Sequence, residues 1–143
     1  MIWKEGFNKR LVYWNQFRDS LADLEFEQAL FDTNQWWAKA PWIQYNLHWD
    51  DLDKWPDPWQ LLEDNRWCNL AKCLGISYTI IMSEHVKNAE NFSIIEYEGQ
   101  DLVQFDDGKY VLNYSQERIV NIHIDSSKIK KTFNADQLID KIK

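Results

Sequence analysis

Between Asn8 and about Leu30, apolar positions recur at the spacing of one helix face. Leu11, Trp14, Arg18, Leu21, Leu24 and Gln28 mark a stripe with Phe17 beside it, and Arg10, Asp19, Asp23 and Glu27 fall largely outside it. The run Leu24-Glu25-Phe26-Glu27 alternates like a strand, so a break is expected near Ser20. Asp32-Thr33-Asn34 reads as a turn and as the N-cap of a short helix carrying Trp36 and Trp37, which Pro41 ends. Residues 41–59 hold three prolines and read as irregular. Asp57 before Pro58 is an N-cap/N1 pair that starts the next helix. Asp64 and Asn65 offer a second cap, where that helix either continues or restarts, and Gly75 closes it in the left-handed position after Leu74.

From Ile76 onward the pattern changes to β. Strands are expected over Tyr78–Met82, Phe92–Tyr97, Leu102–Phe105, Tyr110–Tyr114 and Arg118–Ile124. In the last of these, Val120, Ile122 and Ile124 share one face, with Asn121 and His123 on the other. Turns at Glu98-Gly99 and Asp106-Asp107-Gly108 join neighbours into an antiparallel meander. Asn134 caps a final helix with Leu138, Ile139 and Ile142 as its stripe. Helices first and an antiparallel sheet afterwards make the class α+β. The 143 residues suit a single domain, 1–143, with a mainly helical layer over 1–75 and a β-meander with terminal helix over 76–143.

Composition sharpens this picture at one point. Fifteen per cent of the chain is aromatic, and all nine tryptophans lie between Trp3 and Trp67. So many indoles must be buried in the fold or in an interface. The net charge of −7 repels phosphate backbones and argues against nucleic acid. The basic cluster Lys128-Ile129-Lys130-Lys131 is too short to reverse that. No apolar stretch approaches a membrane span, and Met1-Ile2-Trp3-Lys4-Glu5 lacks the apolar run of a signal peptide. Cys68 and Cys73, five apart on an expected helix, point in different directions, which suits free thiols in a reducing compartment.

Candidate chemistry centres on Cys68. Free N–H groups at a helix start favour a thiolate. A helix beginning near Asp64 would place Cys68 there, whereas one beginning at Pro58 would leave it mid-helix among Trp67, Leu70, Ala71 and Leu74. The run His48-Trp49-Asp50-Asp51-x-Asp53 has oxygen ligands but lacks the glycine and closing glutamate of a calcium loop, so it reads as a solvated acidic loop. No metal and no cofactor are expected. Trp55-Pro56-Asp57-Pro58-Trp59 can present indoles either to a partner or to the core.

Two resemblances follow from these residues. Cys68-x-x-Ala71-x-x-Leu74-Gly75-Ile76-x-Tyr78-Thr79, with Phe92 to Asp106, resembles the transglutaminase-like, papain-related cysteine fold over residues 65–106. In that family a cysteine opens a helix, a strand beginning with His supplies the base, and the next strand ends in the Asp that orients it. Here Asn91 stands where that His is expected. The resemblance implies an alternative reading as a cysteine-dependent acyl transferase or amidase, with Cys68 as nucleophile, His85 as base from the preceding loop and Asp106 as its orienter. His48 and His123 have no motif behind them.

The segment from Trp36-Trp37 through Leu47-His48-Trp49-Asp50-Asp51 to Trp59 is similar to small proteins of tailed bacteriophages, cyanophages among them. That resemblance implies a non-enzymatic virion component of the tail, baseplate or neck, made in the host cytoplasm. Its partners would be other protein subunits of a phage assembly. Trp42, Trp49, Trp55 and Trp59 are the expected contact residues. A carbohydrate-binding module using the tryptophans is a further alternative.

Overall fold

The computed structural model describes residues 2–64, 66–89, 92–115, 118–120 and 124–142. The N-terminal stripe folds as two helices, α1 (Phe7–Ser20) and α2 (Phe26–Ala38), with a 3-10 turn at Leu21–Asp23 between them. The expected break near Ser20 is therefore present, and Leu24 and Glu25 are extended just before α2.

The expected turn at Asp32-Thr33-Asn34 is absent, because all three residues lie inside α2. The Thr33 hydroxyl donates to the Ala29 carbonyl one turn back at 2.7 Å, which satisfies it within the helix. The buried Asn34 side chain accepts from the backbone N–H of Asn113 at 3.0 Å. Side chains with turn chemistry thus bond within the helix or, for Asn34, across to Asn113, and Trp36 and Trp37 extend α2.

Helix α3 (Pro58–Glu63) begins where the sequence places it. The N–H of Gln60 donates to Asp57 Oδ1 at 2.8 Å, and the N–H of Asp57 donates to Gln60 Oε1 at 3.1 Å. This reciprocal box satisfies two helix-end groups, with Pro58 at N1. Asp57→Ala is expected to cost about 1 kcal/mol, read as a lowered urea midpoint at unchanged slope.

The chain then restarts as α4 (Asn69–Ile81), and the expected stop at Gly75 and strand at Tyr78–Met82 are both overturned. Every residue from Leu70 to Ile80 is buried. A helix enclosed on all sides and a buried strand both read as continuous apolar runs, so the β-branched Ile76, Thr79, Ile80 and Ile81 mimic a strand. Gly75 is there for space: a Cβ at this position would lie 2.4 Å from a Trp37 ring carbon.

Among the described residues five strands follow: β1 (Ser93–Tyr97), β2 (Gln100–Phe105), β3 (Tyr110–Ser115), β4 (Arg118–Val120) and β5 (Ile129–Asn134). They form one sheet in the order β4-β3-β2-β1-β5, with every pair antiparallel. Glu98 and Gly99 both have positive φ, at 49° and 79°, which is the primed turn that a two-residue hairpin between β1 and β2 requires.

β5 was not expected. It carries most of the basic cluster and returns to pair with β1. The expected strand over Arg118–Ile124 is present as β4 as far as Val120, and 121–123, with the predicted face of His123, lie outside the described residues. After Asn134 the chain makes a 3-10 turn, Ala135–Leu138, and a short α5 (Ile139–Ile142). The Asn134 side chain makes no capping bond.

Helix α4 packs on one sheet face, mainly against β2, and Ile94, Val103, Phe105, Leu112 and Phe133 share the main core with it. That core draws on residues from Trp3 to Leu138. The opposite face holds Ile95, Tyr97, Leu102 and Val111, with Ile124 and Ile129 packed beside them. Trp3, Trp36, Trp37 and Trp67 meet largely edge to face, with centroids 4.7–6.3 Å apart. No described helix is long and apolar enough to cross a membrane.

Candidate functional site

Cys68 is the N-cap of α4. Its approach is fixed by a parallel bridge between Trp67 and Trp42, in which the N–H of Trp67 donates to Pro41 O at 2.8 Å and that of Ile43 to Trp67 O at 3.2 Å. Asp64 ends α3 with an extended backbone, and the second candidate cap, Asn65, lies outside the described residues. The Cys68 Sγ accepts from the N–H of Ala71 at 3.4 Å, and the Cys68 N–H donates to Asn46 Oδ1 at 3.0 Å. The thiol is at a helix start and also buried, with 4% of the residue exposed. It is therefore occupied as a cap.

His85 and Asp106 stand elsewhere. His85 lies in a 3-10 segment, Glu84–Asn88, past the C-terminal end of α4. The 13 residues of α4 rise by about 20 Å, so the two ends of this helix keep Cys68 and His85 apart. His85 Nε2 donates to the Leu21 carbonyl at 2.7 Å, and its buried Nδ1 has no partner among the described residues.

Asp106 follows β2 in a left-handed conformation, φ 52°, and begins the turn to β3. It is separated from Asp101, at the other end of that strand, by roughly 17 Å of extended chain. Cys68, His85 and Asp106 therefore do not converge. Asn91 and His123 lie outside the described residues. His48 is exposed, and its carbonyl accepts from Trp55 Nε1 at 2.8 Å.

What surrounds Cys68 is a small cleft of about 100 Å³ whose walls include Trp42, Tyr45, Leu47, Leu70 and Asp101. Trp42 and Tyr45 are 54% and 70% exposed. Asp101 Oδ1 accepts from Trp49 Nε1 at 2.9 Å. Burial raises the Asp101 pKa, the Trp49 bond lowers it, and the charge of Glu96 raises it again. Asn113, at φ 67°, ties the floor together: its Nδ2 donates to the carbonyls of Asn69 and Asp101 at 3.2 and 3.1 Å and to Cys73 Sγ at 3.4 Å. The Cys73 thiol is fully buried, and that burial, with Asp101 nearby, pushes its pKa well up despite the Asn113 bond. Cys73 is inert by that measure.

Asp101, Asn46 and Asn113 were not singled out from the sequence. The one available signal was the Glu98-Gly99 turn, which sets Glu96 opposite Asp101 and so brings two acids together.

The four tryptophans expected at a contact surface separate into three kinds. Trp42 and Trp59 are exposed, the latter at 38%. Trp49 is half-buried and holds Asp101. Trp55 is 3% exposed and belongs to the core, packed against Trp49 and Phe133. Its carbonyl also accepts from Lys141 Nζ at 3.0 Å. Within the acidic loop, Asp50 pairs with Lys131 at 3.1 Å. Among the described residues no three His, Cys, Asp or Glu side chains gather to hold a metal ion.

No family model, no curated protein and no solved structure matches the chain.

Proposed function

We propose that this chain is a non-catalytic assembly protein that binds other protein subunits, in keeping with its resemblance to small proteins of tailed phages. On this reading it uses a transglutaminase-like scaffold without the catalytic histidine. The observation that carries the proposal is the company Cys68 keeps. Its cleft offers a carboxyl group and aromatic rings but, among the described residues, no imidazole to take the thiol proton. His85 is held at the far end of α4 by Leu21. The exposed Trp42 and Tyr45 supply the kind of surface that dominates protein contacts.

Iodoacetamide applied to the native protein at pH 6 is expected to modify Cys68 no faster than an ordinary free thiol. Rapid modification would return the acyl-transfer reading. In purified particles of the phage that encodes the chain, mass spectrometry is expected to detect it. A Trp42→Ala, Tyr45→Ala double variant is expected to be lost from particles, and Cys68→Ala retained. Absence of the unaltered chain from particles, or loss of a folded Cys68→Ala protein, would count against assembly.

A further inference from the structure

The cleft beside Cys68 has an unbalanced charge. Asp101 is half-buried in its wall and makes no ion pair among the described residues, while its second oxygen is left over from the Trp49 bond. Directly across the hairpin stands Glu96, another acid, and like charges in that position repel. Lys131 is opposite Glu96 on the other side, but its Nζ is engaged by Asp50. Lys128 is likewise engaged by Glu98 at 3.2 Å. Among the described residues no lysine or arginine lines the cleft.

The rim repeats the theme. Trp42 and Tyr45 present large aromatic surfaces to solvent, and Tyr45 is held at φ 53°, a conformation costly for a bulky side chain. The α4 terminus beneath is already capped, since Cys68 Sγ takes the Ala71 N–H and Asn46 takes the Cys68 N–H, which weakens any claim an anion has on the site. A volume of about 100 Å³ admits the end of a side chain and falls short of a metabolite pocket.

We propose that this cleft receives a lysine or arginine side chain from a basic segment of the partner protein, its cation lying between the Asp101 carboxylate and the rings of Trp42 and Tyr45. This rests on the assembly reading and names the chemistry of the partner. A carboxylate with a charge-assisted bond and aromatic rings in cation–π contact are the two groups that recognise such a side chain. The chain's net charge of −7 draws a basic segment toward it.

The test uses the full chain, labelled with ¹⁵N and titrated with acetyl-Gly-Lys-Gly-amide. Its arginine, norleucine and glutamate analogues run alongside. The lysine and arginine peptides are expected to shift the Trp49 indole N–H signal saturably, and the norleucine peptide, equal in shape but uncharged, to bind at least tenfold more weakly. Asp101→Asn keeps an oxygen for the Trp49 bond and is expected to weaken the lysine peptide at least tenfold. Trp42→Ala is expected to weaken it several-fold, and it serves as the independent variant should Asp101→Asn misfold.

Equal binding of the norleucine peptide, preference for the glutamate peptide, or indifference to both substitutions would overturn the proposal. If the peptides fail while Trp42→Ala, Tyr45→Ala still drops the chain from particles, the cation inference falls and the assembly reading stands. If the lysine peptide binds but the chain is absent from particles, the assembly reading falls alone.

Discussion

A Thr79→Val protein is expected to lose about 2–6 kcal/mol of stability, far more than the near-identical shapes of the two side chains suggest. Thr79 is completely buried in α4, and the indole N–H groups of Trp14 and Trp37 both donate to its hydroxyl oxygen at 3.0 Å. The same hydroxyl donates to the Gly75 carbonyl at 2.7 Å. One oxygen thus uses both lone pairs and its proton, joining α1, α2 and α4. Valine fills the space but leaves two indole donors buried without acceptors, each costing about 1–3 kcal/mol. Thr79→Ser is the control: it keeps the oxygen and loses a methyl group, for about 1 kcal/mol. Urea midpoints of the two variants decide the matter, and a valine variant no weaker than the serine variant would refute the shared-oxygen account.

The second large effect is Gly75→Ala. In the interior of an ordinary helix this change stabilises by about 0.5–1 kcal/mol, since alanine is the better helix former. Here the sign is expected to reverse. The added Cβ would sit 2.4–2.5 Å from three carbons of the Trp37 indole. Trp37 has little room to move: its N–H is fixed on Thr79, and Trp3, Trp36 and Trp67 crowd its ring. Overpacking of this kind costs about 1–3 kcal/mol or more. The diagnostic comparison is a Trp37→Phe background, where the smaller ring should relieve most of the penalty. The two substitutions share Trp37, so their effects are not expected to add.

These two positions also show what a sequence reveals and what it hides. The start of α3 is legible because its determinants, Asp57, Pro58 and Gln60, lie within four residues and bond to one another. The break at Ser20 is legible for a similar reason, a local change of apolar period. Gly75 misleads because the same residue ends helices and admits close neighbours, and only the fold says that Trp37, 38 positions earlier (75 − 37), needs its space. β5 is hidden behind its lysines: Ile129, Lys130, Lys131, Thr132 and Phe133 alternate only weakly, as an edge strand does when charges discourage further pairing.

The candidate site is less legible. From neighbouring residues a helix start near Asp64 and one at Pro58 stand equally open, and only the fold makes Cys68 itself the cap. Its true company is hidden as well, because Asn46, Asp101 and Asn113 arrive through contacts spanning 12 to 52 positions. The expected partner His85 sits close in sequence, but a rigid rod of helix intervenes.

The placement of β5 beside β1 has a consequence for how the chain is made. The first strand of the sheet to leave the ribosome has its outer neighbour in the last, Ile129–Asn134. Until that segment emerges, β1 offers an open row of backbone donors and acceptors beside Ile94 and Ile95, the arrangement that invites pairing with a stranger. Acquisition of the finished structure therefore waits on the C-terminal residues, and nascent chains halted before Ile129 would be the ones chaperones have to shield.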